Sequence, residues 1–400
     1  MSNNRLILIA NVGSSSLKVT AYLEKAVEFI AHAEWATPEG HARECFISDK
    51  TGRIGRLIVP QNSSAELAIL DWITDHLKSR FPEEKVYAIG HRIVHGGARF
   101  TQPAIVTPEI LLALGELISL APSHQRRSLL IVRTLGQLLP GTPQVVCFDT
   151  TFHATMPLYE RMLGLPTSYF HRGIRRYGFH GLSYESIALQ LGDICVQAYE
   201  GRTIVCHLGS GSSVCALRGG RSIATTMSFT SLDGLMMATR AGTIDPGVIL
   251  YLLRNEHMEL EQVEHLLTEE SGLLGISGIS GDVRELMHSS ENSAKEALGL
   301  FCYRVVREIG ALVCTLQGID ALIFTGGIGE NSPYIRETIC DQLKWLGVLI
   351  DPIANKTTGP ILHRNESKVS VLTLPSNESA VILKHTLSLV ESISATDDVI

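Results

Sequence analysis

Two carboxylic acids stand where apolar runs stop. Gln144 to Phe148 reads as a buried strand ending on Asp149, flanked by Thr150, Thr151 and His153, and Val369 to Leu374 reads as a last strand running into Pro375-Ser376-Asn377-Glu378. Open α/β sheets place their ligands beyond the carboxyl ends of strands, and a carboxylate there can hold Mg2+ directly or through water. For either acid alone, a helix cap or a turn is the plainer role. Two arginines have comparable settings. Arg92 lies in Gly90-His91-Arg92-Ile93-Val94-His95-Gly96-Gly97, and Arg240 lies in Thr239-Arg240-Ala241-Gly242-Thr243-Ile244-Asp245-Pro246, just ahead of a helix start. Guanidinium binds carboxylate and phosphoryl groups bidentately, so two arginines from opposite halves of the chain could clamp such a group; surface ion pairing is the alternative. His180, between Phe179 and Gly181 and close to Arg175 and Arg176, is readable as a catalytic or as a core histidine.

These groups gain meaning from a loop that the chain carries twice. Ile7 to Ala21 contains Asn11-Val12-Gly13-Ser14-Ser15-Ser16-Leu17-Lys18, and Thr203 to Leu217 contains His207-Leu208-Gly209-Ser210-Gly211-Ser212-Ser213. In both copies an apolar strand enters a short Gly/Ser turn and a second apolar strand follows at once, which predicts a β-hairpin with an amide-rich tip. Such a tip can hold a phosphate through backbone amides and Ser hydroxyls, with Lys18 adding charge to the first. A single Gly/Ser turn would mean only a hairpin. Repetition at matching strand positions points instead to duplicated domains facing one polyphosphate, which in turn needs a divalent cation. Neither loop is a Walker P-loop, because the Gly-Lys-Ser/Thr ending is absent and a strand follows each.

The elements that must carry these residues alternate along the chain. Helical periodicity runs from Ala65 to Lys78, a short strand from Val86 to Ile89, and Thr107-Pro108 opens a helix through Leu120. A third strand is expected after Gly219-Gly220. Asp245-Pro246 begins a helix through Arg254, Ser293 to Gln317 is a long amphipathic helix, and Ala321 to Phe324 is a strand leading into Thr325-Gly326-Gly327-Ile328-Gly329-Glu330-Asn331. The stretch after the first hairpin, up to about Asn62, reads as variable, with Thr37-Pro38-Glu39-Gly40 and Thr51-Gly52-Arg53 as turn signals.

Composition narrows the function classes. At 400 residues and 45% apolar content the chain can bury substantial cores in two or three domains. A formal charge of −7 with scattered Lys and Arg argues against nucleic acid as a partner. No apolar stretch approaches the ~18 residues of a membrane span, and a strand is entered by Leu6 without a signal-peptide pattern. The eight cysteines lack C-x-x-C spacing. Buried, reduced thiols of a cytoplasmic protein are the expectation.

Together the blocks Asn11-x-Gly-Ser-Ser-Ser-x-Lys18, Gly90 to Gly97, Phe148-Asp-Thr-x-Phe-His153, Arg175-Arg-Tyr-Gly-x-His-Gly181, His207-Leu-Gly, Gly326-Gly-Ile-Gly-Glu-Asn331 and Asn377-Glu378 resemble those of acetate kinase and its propionate and butyrate kinase relatives. The resemblance implies an α/β fold, the duplicated two-domain clamp of actin, sugar kinases and heat-shock ATPases with ribonuclease H-like halves. It also implies ATP/ADP as co-substrate, Mg2+ as cofactor, a short carboxylate and its acyl phosphate as substrate and product, and a homodimer. The domains are expected at 1–180 and 181–400, with the final helix able to pack back on the first.

Carried over residue by residue, the resemblance assigns catalysis to Asp149, Arg92, Arg240 and His180. Arg92, Val94, Ser123, Phe179 and Ser231 match the substrate site. Asn11, Ser14, Ser16, Lys18, His124, His207, Gly209, Ser210 and Gly211 match the phosphate side. Asp282, Val283, Arg284, Gly326, Gly327, Ile328, Gly329 and Asn331 match the adenosine side, and Asn11 and Glu378 the metal.

Departures from the family pattern bear on substrate and activity. Ser210 replaces a usual Asn, Ser123 and Ser231 replace apolar pocket residues, and Ala241 and Thr243 stand beside Arg240. An unsatisfied buried hydroxyl costs about 1–3 kcal/mol, so a methyl pocket would not obviously choose these serines. Adaptation to a larger or more polar acid and drift in an acetate kinase are both open. A nucleotide-binding regulator with weak or no transfer is the reading from a different class.

Overall fold

The computed structural model describes residues 5–13, 16–24, 26–34, 43–59, 65–357 and 359–397. The chain divides into two compact units, 1–151 with 377–400, and 152–376. Among the described residues no helix is long and apolar enough to cross a membrane.

The first unit is built on eight strands: β1 (Leu6–Val12), β2 (Ser16–Leu23), β3 (Ala26–Glu34), β4 (Arg43–Asp49), β5 (Gly52–Val59), β6 (Val86–Ile93), β7 (Ala104–Ile105) and β8 (Gln144–Phe148). They lie in the order β5-β4-β3-β2-β1-β6-β8-β7. β1, β6 and β8 run parallel, and β2 to β5 form an antiparallel meander beyond β1. The repeated hairpin is present, with Asn11 opposite Lys18 across β1 and β2. Opposite residues in an antiparallel pair project on one face, so the amide and the ammonium stem share a side. Gly13 N donates to Ser16 O at 2.8 Å and closes the tip. Ser14 lies outside the described residues, as do the turn residues Thr37 to Gly40.

The second unit uses β9 (Arg202–Leu208), β10 (Ser212–Arg218), β11 (Arg221–Thr225), β12 (Ala321–Thr325) and β13 (Ser370–Thr373), in the order β11-β10-β9-β12-β13. Here β9, β12 and β13 are parallel and β10 and β11 antiparallel. This is the arrangement of β3-β2-β1-β6-β8 repeated. Both units therefore carry the five-stranded ribonuclease H-like sheet of the actin, sugar kinase and heat-shock ATPase class. The 25-residue helix Asn292–Leu316 buries one face, including Phe301, Val305, Ile309 and Leu312, against this sheet's core. Asp245 caps the helix Pro246–Arg254, accepting from Gly247 N at 2.8 Å with Pro at its first position.

Three features differ from the sequence reading. The variable stretch contains the meander β3 to β5, whose edge strand β5 alternates too weakly between exposed and half-buried positions to announce itself. The helix Gly181–Ile194 goes beyond the elements read from the sequence. The boundary expected at 180/181 falls inside the second unit. Residues 152 to 180 are hydrogen-bonded to that unit's sheet edge: His153 Nδ1 lies 2.8 Å from Ser222 Oγ, Arg176 Nη1 donates to Thr225 O at 2.9 Å, and Tyr177 N donates to Ser228 O at 3.0 Å. The described cysteines form no disulfide, and only Cys314 is exposed.

The last helix, Glu378–Asp397, belongs to the first unit and packs on β1, β6 and β8. Its approach to β6 is close at Gly90, where a Cβ would lie 2.4 Å from Thr386 Oγ1 and 2.6 Å from Ile382 Cγ2. Gly90→Ala is expected to destabilise the first unit by ~1–3 kcal/mol through overpacking, read as a lowered urea midpoint with the helix Glu378–Asp397 less protected from hydrogen exchange.

Candidate functional site

In the first unit the parallel strands end together, and their ends hold a compact polar cluster. Asn11 is the penultimate residue of β1 and Arg92 that of β6, Asp149 follows β8, and Glu378 opens the final helix. Arg92 Nε donates to both carboxylate oxygens of Asp149 at 3.1 Å, and Nη2 donates to Asp149 Oδ2 at 2.7 Å. Arg92 Nη1 donates to Asn11 Oδ1 at 3.2 Å and lies 3.7 Å from Glu378 Oε2, while Asn11 Nδ2 donates to Glu378 Oε2 at 2.7 Å. The Asp149 side chain is 1% exposed and that of Arg92 14%.

Burial pushes the Asp149 carboxyl up, against the charge and hydrogen bonds of Arg92. Burial likewise opposes the Arg92 charge, but the two carboxylates outweigh it and hold the guanidinium protonated. One cation against two carboxylates leaves the cluster with an excess negative charge and hard oxygen donors, the chemistry of a Mg2+ site. No group of three His, Cys, Asp or Glu able to hold a metal occurs among the described residues. Phosphate oxygens and water would have to complete the ligand shell.

Other first-unit assignments are distributed around this cluster. Lys18 is exposed, Ser16 half-buried and Val94 buried. His124 is in the first turn of the helix Pro122–Leu138. Its neighbour Gln125 is buried and bonded to the His95 backbone, donating to His95 O at 3.1 Å and accepting from His95 N at 3.3 Å. Ser123 is the second residue of the same helix, and its side chain lies outside the described residues.

The second unit has a neutral cluster at the matching hairpin. His207 is opposite Ser213 across β9 and β10, as Asn11 is opposite Lys18. His180 stacks on His207 with ring centroids 4.2 Å apart, and its Nδ1 is 2.8 Å from Ser213 Oγ. His207 Nδ1 is 2.8 Å from Ser183 Oγ, and Tyr184 OH is 2.5 Å from Ser213 Oγ. His180 has the left-handed conformation, φ 58°, at the start of the helix Gly181–Ile194. His153 anchors that turn, its Nε2 2.9 Å from Phe179 O and its ring packed on Gly178. Sequence reasoning passed over Ser183, Ser213 and Tyr184. Ser183 and Tyr184 follow His180 by three and four residues on the new helix, a signal readable only once that helix is known.

A cation lies beside this cluster without an acidic partner. Arg240 forms no ion pair among the described residues; its Nη1 donates to Ser231 O at 3.0 Å. Burial pulls the guanidinium below its usual pKa, against the longer-range charge of Glu269. A Cβ placed on Gly211 would lie 3.3 Å from His180 Nε2 and 3.8 Å from Arg240 Nη1, so both groups face the turn Gly209 to Gly211. Glycine keeps that space open. Ser210 exposes its side chain, and its carbonyl accepts from Ala238 N at 3.1 Å. Phe179 is buried and Ser231 half-buried.

Gly326, at φ 79°, starts the short helix Gly326–Asn331, and a Cβ there would meet Leu208 O at 2.7 Å. Glu330 Oε1 accepts from Gly326 N at 2.9 Å and from Ser376 N at 3.3 Å, tying this segment to the loop after β13. Gly327 and Asn331 are exposed, Ile328 half-buried and Gly329 buried. Asp282 caps the helix Val283–His288 and pairs with the exposed Arg284, whereas the Val283 side chain is part of the core.

The sequence matches the acetokinase family profile over residues 6–384. It is 43% identical to an acetate kinase of Rhodopseudomonas palustris over 397 residues, 96% of this chain and 98% of that protein. It is 39% identical to an acetate kinase of Methylocella silvestris, covering 98% and 100%. Among solved structures, a propionate kinase from Francisella tularensis superposes with a TM-score of 0.88 at 32% identity, covering 96% and 99%. Porphyromonas gingivalis acetate kinase gives 0.85 at 31%, with the same coverage.

Burial holds His91 and His153 neutral, with ring pKa values pulled down to about 4. In the unfolded chain both rings protonate near 6.5, so the stability their neutral forms contribute is full above that pH and is lost progressively as pH falls toward 4. Each should remove ~2 kcal/mol from its unit between pH 7 and pH 5. Urea unfolding at the two pH values should show His153→Gln losing less on acidification than wild type by that amount; an equal response in both proteins would contradict the assignment.

Proposed function

The chain belongs to the acetokinase family, and on that premise we propose that it transfers the γ-phosphoryl group of ATP reversibly to a short-chain carboxylate, giving ADP and an acyl phosphate. A carboxylate oxygen forms the new O–P bond as the bond to the ADP oxygen breaks, and no proton is needed in the exchange. The observation that carries this reading is Arg240, a cation without an acidic partner among the described residues, beside His180 at an open glycine turn. A half-buried guanidinium that forms no ion pair among the described residues suits an anion, and a transferring phosphoryl group supplies one.

In this reading His180 donates to the phosphoryl oxygens and Arg240 neutralises their charge. The Gly209 to Gly211 turn, with His207, and the tip carrying Asn11, Ser14, Ser16 and Lys18 serve the phosphates, with His124 near the transferring group. Arg92 has a double task, holding Asp149 and Glu378 in place and offering its remaining N–H groups to the acid. Asn11 and Glu378 would hold Mg2+, which when bound offsets phosphate charge. The segment Gly326 to Asn331 and residues Asp282 to Arg284 serve the adenosine. Val94, Phe179, Ser123 and Ser231 surround the tail of the acid, and a cytoplasmic homodimer is the proposed setting.

Hydroxylamine trapping should yield an acyl hydroxamate from at least one acid in a series running from acetate to butyrate, hydroxy acids and dicarboxylates. ATP binding without any trapped product would replace the kinase reading with that of a nucleotide-binding regulator. Arg240→Ala should lower kcat on the order of 10²-fold or more while the KM for ATP stays near wild type.

The two pocket serines define a separate prediction. Ser123→Leu combined with Ser231→Pro should move relative kcat/KM toward acetate or propionate by on the order of 10- to 200-fold. An unchanged ratio in a folded, active double variant would mean that the serines do not select the acid.

A further inference from the structure

The hydrogen bonds behind His180 can be assigned by satisfying every donor, and the result bears on which ring nitrogen carries the proton. Ser213 and Tyr184 are fully buried. The Tyr184 hydroxyl has one hydrogen-bonding neighbour among the described residues, Ser213 Oγ at 2.5 Å. Ser213 Oγ has two, that hydroxyl and His180 Nδ1 at 2.8 Å. Burial raises the Tyr184 pKa well above its usual value, so the phenol keeps its proton. Were Ser213 the donor to Tyr184, the phenol O–H would be stranded in the core at the full desolvation cost of an unmet donor. Tyr184 therefore donates to Ser213, and the hydroxyl proton of Ser213 has a single acceptor left, His180 Nδ1. A proton on Nδ1 would strand the serine hydroxyl in turn.

Resting on the reading that His180 faces the transferring group, we propose that Ser213 is a positioning residue that fixes His180 as the neutral tautomer with its proton on Nε2, Tyr184 orienting the Ser213 hydroxyl. Nε2 faces the Gly211 turn beside Arg240. The proton is thus presented on the side where an anion would sit, and the ring need not become a second cation next to the guanidinium. Neutral imidazole offers one donor and one acceptor, and the partner of one nitrogen decides the role of the other. The register placing Ser213 opposite His207 puts its hydroxyl on the face where the two imidazoles stack.

The test is 15N NMR of histidine-labelled full-length protein at neutral pH, with the His180 ring assigned by its loss in His180→Asn. Wild type should show the Nε2–H pattern for His180. Ser213→Ala should populate the Nδ1–H form and lower kcat on the order of 10-fold, with the KM for ATP within about 2-fold of wild type, while Ser213→Thr, which restores a hydroxyl, should return both. An Nδ1–H or imidazolium pattern in wild type would overturn the proposal, as would an unchanged tautomer in folded Ser213→Ala. The wild-type spectrum tests the tautomer whether or not Ser213→Ala folds. It also separates this proposal from the kinase reading, which fails only if no acyl phosphate forms.

Discussion

A guanidinium and two carboxylates largely withdrawn from water at the carboxyl ends of parallel strands must satisfy one another, and the architecture of the first unit serves that requirement. Arg92 can meet Asp149 through three hydrogen bonds only because β6 and β8 pair in parallel, with Ile93 aligned to Phe148. Asn11 joins the cluster because β1 pairs with β6 on the other side. Glu378 arrives from the far end of the chain, as the first residue of a helix held flat on the sheet by the bare backbone at Gly90. Removing one partner of such a cluster leaves an uncompensated buried charge, which costs more than the pair contributes. The excess carboxylate is what suits the cluster to a bound cation.

The second unit repeats the topology and reverses the chemistry. At the hairpin positions where the first unit has Asn11 and Lys18, the second has His207 and Ser213, an uncharged pair that seats His180. Its cation, Arg240, comes from a loop and is held by a carbonyl rather than a carboxylate. One unit thus gathers surplus carboxylate, and the other holds a cation that forms no ion pair among the described residues, beside hydrogen-bond donors.

Much of this was legible along the chain where a local rule applied. The two hairpins announced themselves through apolar runs on either side of Gly/Ser tips, and Asp149 was marked by the apolar run before it. Asp245-Pro246 marked a helix start by capping chemistry alone. The edge strand β5 carried no comparable signal, because a partly solvated edge does not demand a strict period. The unit boundary was misplaced for a related reason. Residues 152 to 180 are short turns whose allegiance is set by His153 and Arg176 reaching β11 and the residues just after it, contacts that leave no periodic trace.

By itself the sequence determined the fold class, the family and the set of residue types available for chemistry, because strand periodicity, turn composition and motif order are properties of neighbours along the chain. The tertiary structure alone decided how those residues are used. It committed Arg92 to Asp149 and gave Arg240 no acidic partner among the described residues, though each arginine stood in a comparable setting in sequence. It also placed a buried tyrosine and serine behind His180, so that the state of the imidazole is set by hydrogen bonds to a strand some thirty residues away. Charge pairing and proton location depend on which groups share a desolvated volume, and that is settled only when strands and helices pack.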